Sequence, residues 1–166
     1  MISIRSYDED QDARLVGILI AETYRKYNLD FASTSEQEKL LGPFQYAWSD
    51  DPARQEAIKE VLRTEMIFVA EEGDLIVGVL RCKPGRLQSQ FVSENYHRRG
   101  IGRKLVDRCE QWCASRGASV ISLAATLYAV PFYQAAGYKK STGIRCGRSF
   151  EGRGLRYQPM KKILHR

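Results

Sequence analysis

The sequence predicts a single α/β (α+β) domain over residues 1–166, with about seven strands and four or so helices. Three observations carry that prediction. Short apolar runs and period-two alternation take turns with 3.6-residue apolar stripes along the whole chain. No linker, internal repeat or low-complexity tract interrupts them. A length of 166 residues with 43% hydrophobic content suits one domain with its own core.

The elements follow in order. Residues 2–7 alternate apolar and polar and read as a strand. Asp8 or Asp10 then caps a helix whose apolar face is Val16, Leu19, Ile20, Thr23, Tyr24 and Tyr27. Residues 28–52 are irregular, apart from a short helix near 34–41 that Gly42-Pro43 breaks. A further helix follows Pro52 and runs to Leu62 or Arg63. Met66–Ala70 and Leu75–Cys82 form a hairpin around Glu71-Glu72-Gly73-Asp74. Pro84-Gly85 turns the chain into a strand at Leu87–Val92. A helix with apolar residues at 101, 105, 106, 109, 112 and 113 ends at Gly117. Val120–Ala124 is a buried strand, and residues 129–136 are a short helix with Pro131 in its first turn and Gly137 as C-cap. Two strands, 138–149 and 155–164, close the chain around Glu151-Gly152-Arg153-Gly154.

Charge and cysteine usage narrow the function. The net charge of +6 conceals a division: residues 1–74 hold eight Lys/Arg against sixteen Asp/Glu, and residues 75–166 hold eighteen against four. A uniformly basic surface would suggest nucleic acid, whereas a basic half is also what a small polyanion needs. The C-terminal portion has few aromatic residues beside its arginines, so base stacking has little support and no nucleic-acid partner is expected. The N-terminus turns acidic at once and has no long apolar run, so neither a signal peptide nor a membrane span is expected there. Cys82, Cys109, Cys113 and Cys146 lack metal-type spacing; packed, reduced thiols in a cytoplasmic protein without a metal are the expectation.

The densest chemistry lies at Phe91-Val92-Ser93-Glu94-Asn95-Tyr96-His97-Arg98-Arg99-Gly100-Ile101-Gly102-Arg103-Lys104. A strand end runs into a basic turn with two glycines and then directly into a helix. Glycine admits a ligand close to the backbone, and the free N–H groups at the helix start point at an anion. Arg98, Arg99, Arg103 and Lys104 surround that place. A dinucleotide fingerprint needs a small residue at 105, and a P-loop needs Ser or Thr there with Gly at 97; the chain has Leu105 and His97. A second segment reads Thr126-Leu127-Tyr128-Ala129-Val130-Pro131-Phe132-Tyr133-Gln134-Ala135-Ala136-Gly137-Tyr138.

Both segments resemble motifs of the GNAT acyltransferase superfamily. His97-Arg98-Arg99-Gly100-Ile101-Gly102 is similar to its acyl-CoA loop, Gln/Arg-x-x-Gly-x-Gly/Ala, with His97 departing from the first position. Ala129, Phe132, Tyr133 and Gly137 match the later Asn-x-x-Ala-x-x-Phe-Tyr-x-x-x-Gly-Phe motif, while Thr126 stands for Asn and Tyr138 for Phe. The resemblance implies a central mixed, mostly antiparallel sheet flanked by the helices, and acetyl-CoA as acyl donor. It implies donor-binding roles for Phe91, Val92, Arg98, Arg99, Gly100, Ile101, Gly102, Arg103, Lys104, Thr126, Ala129 and Phe132. By the same resemblance, a backbone N–H of Phe91 or Val92 polarises the thioester carbonyl and Tyr133 protonates the departing thiolate. The implied activity is direct acetyl transfer to a primary amine of a small molecule or peptide, by a monomer or homodimer. The acidic N-terminal half suits a cationic acceptor, and Phe44, Tyr46 and Trp48 are either a wall of its pocket or simple packing.

One expected part is missing. Many relatives carry a carboxylate on the strand before the phosphate loop, and no Asp or Glu lies between Gly85 and Ser93. Water held by Gln88, Ser89 or Gln90, or a carboxylate such as Glu22 or Glu65, remains open as the base. That gap keeps a non-catalytic acyl-CoA sensor as the alternative reading, against which the retained Tyr133 argues.

Overall fold

The computed structural model describes residues 1–165. The chain runs β1 (Ile2–Ser6), α1 (Glu9–Asn28), α2 (Thr34–Leu41), α3 (Pro52–Leu62), β2 (Met66–Glu72), β3 (Leu75–Lys83), β4 (Arg86–Val92), α4 (Ile101–Ser115), β5 (Val120–Thr126), α5 (Val130–Ala135), β6 (Lys139–Lys140), β7 (Arg145–Ser149) and β8 (Gly152–Ile163). Short 3₁₀ turns occupy Gly42–Tyr46, Glu94–Tyr96 and Leu127–Ala129. The strands make one sheet in the order β1-β2-β3-β4-β5-β8-β6, with β7 also on β8. Every pairing is antiparallel except that of β4 with β5.

This is the mixed, mostly antiparallel sheet expected, with three local differences. The run 138–149 is two strands rather than one, because Gln158 Nε2 donates to the Thr142 carbonyl at 2.6 Å and holds the intervening residues off the ladder. The last turn lies at Phe150-Glu151, so Gly152 and Gly154 fall inside β8. There are five α-helices, the number that the elements read in order add up to, against the overall expectation of four or so. At the first helix it is Asp8 that caps, its carboxylate accepting from the Asp10 and Gln11 N–H groups at 3.1 and 3.2 Å.

Helices cover both faces of the sheet, and a core lies under each. Against one face, α4 buries Ile101, Leu105, Val106, Cys109 and Cys113. The spacing of those residues is the 3.6-residue stripe read from the sequence, and each fully buried aliphatic side chain among them contributes roughly 1.5–3 kcal/mol. Gly78 makes that contact possible: a Cβ there would sit 3.0 Å from Leu105 Cδ1. Cys82, Cys109 and Cys113 are buried free thiols, and Cys146 is exposed. On the other face, α1, α2, α3 and the Gly42–Tyr46 turn bury Val16, Ile20, Leu40, Phe44, Ile58 and Leu62 against β2 and β3. No described helix is long and apolar enough to cross a membrane.

The feature that creates a site is a failure of pairing. β4 and β5 are registered only at Arg86↔Ser122, so beyond that point the two parallel strands part. Strand edges opened in this way must find other partners for their N–H and C=O groups.

Candidate active site

Two cavities occupy the gap between the parted strands. The larger, of about 720 Å³, lies toward α4 and α5. Of the residues singled out by sequence, Phe91, Val92, Arg98, Gly100, Ile101, Gly102, Arg103, Thr126, Ala129, Phe132 and Tyr133 line it. Arg99 and Lys104 do not. The Arg99 guanidinium lies over the Tyr96 ring at 4.9 Å, and Lys104 is exposed on α4.

The rim of this cleft is main chain. The first intrahelical bond of α4 runs from Lys104 N–H to the Gly100 carbonyl at 3.0 Å, so the N–H groups of Ile101, Gly102 and Arg103 precede the ladder and have no helical partner. Arg98 and Gly100 both adopt left-handed backbone, at φ 62° and 78°, which folds the loop back over the helix mouth. The helix dipole adds positive potential at the same place. His97 replaces a long polar side chain with a brace: its Nε2 lies 2.7 Å from the Val92 carbonyl. A carbonyl only accepts, so this nitrogen carries the proton. Arg103 ties α4 to α5 by donating to the Ala135 carbonyl at 3.3 Å.

The opened edge of β4 can be followed from its ladder. Ser93 N–H bonds the Val77 carbonyl at 2.8 Å, and Val92 faces Gly78 in register. Antiparallel bonding alternates by two, so Phe91 N–H is turned to β3, while Val92 and Gln90 present theirs to the gap. Of the two candidates for a polarising N–H, Val92 therefore has the geometry.

The smaller cavity, of about 270 Å³, lies on the other side of the gap. Its walls come from Ile20 and Tyr24 of α1, Phe44 of the 3₁₀ turn, Val61 of α3, Arg81 of β3, Leu87–Phe91 of β4, and the β7–β8 hairpin through Ser149, Phe150 and Leu155. The aromatic cluster divides here: Phe44 is a wall, whereas Tyr46 and Trp48 are exposed and lie outside both cavities. The hairpin is pinned by Tyr24, whose hydroxyl donates to Ser149 Oγ at 2.9 Å, and by Ser149, which donates to the Leu40 carbonyl at 2.8 Å.

Asn28, Gln90, Phe91, Thr126, Ala129 and Tyr133 line both cavities and mark where they meet. There Tyr133 donates to Gln90 Oε1 at 3.1 Å, and Gln90 Nε2 donates to the Gly102 carbonyl at 2.8 Å. Burial pushes the Tyr133 phenol above its ordinary value, so the group holds its proton at neutral pH. Asn28 Oδ1 is buried at this junction without a hydrogen-bond partner. Gln88, Ser89 and Gln90 line the smaller cavity, as water-holding residues would. Glu22 and Glu65 are exposed and line neither, and among the described residues no Asp or Glu lines the smaller cavity. Nor is there a cluster of three His, Cys, Asp or Glu among the described residues that would hold a metal.

Sequence reasoning did not single out Asn28, Tyr96, Tyr128, Arg81, Ser149 or Leu155 for the site. Tyr24, Tyr27 and Asn28 share the i, i+3, i+4 spacing of one helix face, and that was the available signal for Asn28.

A parted pair of parallel strands, with a helix mouth on one side and a second cavity on the other, gives room for two ligands that meet end to end. The family model described as an acetyltransferase (GNAT) domain matches residues 31–164, and the chain belongs to that family. Its structure resembles a GCN5-related N-acetyltransferase from Rhodopseudomonas palustris, with a TM-score of 0.77 at 23% identity over 98% of this chain and 95% of that one. It also resembles the PaiA N-acetyltransferase of Thermoplasma acidophilum in complex with coenzyme A (TM-score 0.74, 16% identity, 99% of each chain). An aminoglycoside 6'-N-acetyltransferase complexed with coenzyme A is similar at a TM-score of 0.63 and 18% identity, over 99% of each chain. No protein with curated annotation matches the sequence significantly.

Proposed function

We propose that the chain transfers acetyl from acetyl-CoA directly to a primary amine of a small molecule, both substrates being bound together. The observation that carries this reading is the meeting of the two cavities at Asn28, Gln90, Thr126 and Tyr133. A donor entering along the helix mouth and an acceptor filling the smaller pocket would have their reactive ends there. The coenzyme A found with two structural relatives supports a coenzyme A donor, and the free N–H groups at the mouth of α4 favour the larger cleft as its side. The modest volume of the other favours a small acceptor over a peptide.

The chemistry follows from the residues. Free N–H groups at Ile101, Gly102 and Arg103 take the pyrophosphate, and Arg98 and Arg103 add charge at the rim. Val92 N–H donates to the thioester oxygen as negative charge develops on it. The neutral amine attacks the carbonyl carbon; a C–N bond forms, the C–S bond breaks, and the amine's surplus proton leaves through water. Tyr133 gives its proton to the departing sulfur and regains one from solvent. That transfer is uphill by roughly 2 kcal/mol between free phenol and thiol; burial of the Tyr133 phenol widens the gap, and desolvation of the departing thiolate narrows it.

An amine of pKa near 10.4 loses roughly 4.6 kcal/mol at pH 7 by having to shed its proton first. Without a carboxylate in the pocket, the free-base fraction in solution supplies the nucleophile. Thiol release from acetyl-CoA across a panel of small amines and peptides tests the proposal: turnover of small amines above peptides is expected. Acetyl-CoA binding without thiol release from any acceptor would instead describe a sensor.

A further inference from the structure

We propose that the acceptor is a small amine that also carries a carboxylate, and that Arg81 recognises this carboxylate. The inference rests on the acceptor cavity assigned above and names what fills it. Arg81 is the one formally charged side chain among the described residues lining the smaller cavity, and it does not line the larger one. It makes no ion pair among the described residues. Burial is what weakens its hold on the proton, and no carboxylate offsets that effect.

Its fixed contacts leave capacity to spare. Nε donates to the Leu62 carbonyl and Nη2 to the Val61 carbonyl, both at 3.0 Å, at the C-terminal end of α3. Nη1 reaches Ser89 Oγ only at 3.4 Å. A guanidinium has five N–H groups, so two remain. The helix end holds the fork in place, and its partial negative charge stabilises the cation there. A preset planar fork with two free donors beside an otherwise uncharged cavity matches a carboxylate.

The same wall discriminates against other acceptors. A cation beside the cavity disfavours polycations such as polyamines, and it lowers the pKa of a nearby ammonium, which favours the attacking form. Acidic residues of the N-terminal half act elsewhere: Asp12 and Glu71 pair with Arg5, and Glu9 and Glu56 with Arg63. Apolar walls at Ile20, Phe44, Leu87, Leu123 and Leu155 suit an apolar body between the two polar ends of the acceptor.

Matched acceptors test this. Thiol release by the wild-type chain is measured with leucine, phenylalanine and 4-aminobutyrate, each against its carboxamide and its decarboxylated amine, with rates expressed per free amine. At least one carboxylate member is expected to exceed its partners by about tenfold or more in kcat/KM, the size of a charged hydrogen-bond pair. In Arg81→Gln that ratio falls toward one, and Arg81→Lys restores part of it, while acetyl-CoA affinity stays unchanged. Thermal melting separates loss of selectivity from loss of the α3 contact. Amines acetylated without regard to the carboxylate, or a preference for polyamines, would overturn the inference and leave the transferase reading intact. No turnover of any amine would remove both.

Discussion

The cleft proposed for the donor and the cavity proposed for the acceptor share a wall but are built from different materials. The cleft is lined mainly by two continuous segments, Gln90–Arg103 and Thr126–Tyr133, with Thr23, Tyr27 and Asn28 of α1 beside them and glycines where the backbone must bend or be approached. The cavity is made of side chains from α1, the 3₁₀ turn, α3, β3, β4 and the β7–β8 hairpin, segments up to 135 residues apart. Binding by backbone constrains residue type, because few residues adopt left-handed φ or leave room for a ligand. Binding by scattered side chains leaves no local pattern.

The largest effect should follow from breaking the backbone side of that contrast. A Cβ on Gly102 would lie 3.1 Å from Phe132 Cζ and 3.2 Å from Gln90 Nε2, so any side chain must enter the cleft. Gly102→Glu adds a negative charge where the pyrophosphate belongs and should raise the acetyl-CoA Kd about 100-fold or more, read by titration calorimetry. Unchanged affinity would show that phosphate binds elsewhere.

Next comes the junction. Tyr133→Phe removes the proposed proton donor but keeps the ring contacts with Phe132 and Tyr138, so kcat should fall about 100-fold with little change in acetyl-CoA affinity. The pH profile sharpens this. The raised Tyr133 pKa keeps the acid protonated as pH rises, and the pocket has no carboxylate to titrate. Wild-type kcat/KM should therefore climb about tenfold per pH unit from pH 6 until the acceptor's own pKa, and shift with that pKa between amines. A plateau near pH 6–7 common to all amines would reveal an enzyme base instead.

The acceptor side breaks through packing. Gly152 opens β8, and a Cβ there would sit 2.3 Å from Leu40 Cγ and 2.7 Å from Leu40 N. Backbone cannot step aside as a side-chain end can. Gly152→Ala should cost about 2 kcal/mol and lower Tm by roughly 4–8 °C. Because the displaced hairpin carries Ser149, Phe150 and Leu155, KM for the amine should rise while the acetyl-CoA Kd holds.

What the sequence made legible divides along the same line. Period and caps marked most elements, and the glycine loop with the Ala129-to-Gly137 motif marked the donor side. Gly42-Pro43 correctly signalled a break, and the aromatic cluster offered a pocket wall, but neither told that Phe44 alone of the three would line a cavity. Arg81 was invisible because it interrupts an apolar strand and gains meaning only from its register opposite Ser89 and its reach to the end of α3. The division of 138–149 into β6 and β7 depends on the distant Gln158 side chain, which no local pattern encodes. Likewise, the acidic N-terminal half told of ion pairs away from the pocket wall.

The smallest effect concerns the cations around the loop. Sequence grouped Arg98, Arg99, Arg103 and Lys104 alike, yet only Arg98 and Arg103 line the cleft. Lys104 stands on the exposed surface of α4, where its charge reaches a bound polyphosphate through solvent. At such range the interaction is screened over about 10 Å at 0.1 M salt. Lys104→Ala should weaken acetyl-CoA binding by about threefold or less at low ionic strength, and the difference should vanish by about 0.5 M salt. Arg103→Ala should lose more and keep part of its loss in high salt, because Arg103 also ties α4 to α5 through the Ala135 carbonyl. Equal, salt-independent losses in the two variants would mean that a ring of direct ion pairs, rather than the helix mouth, holds the donor.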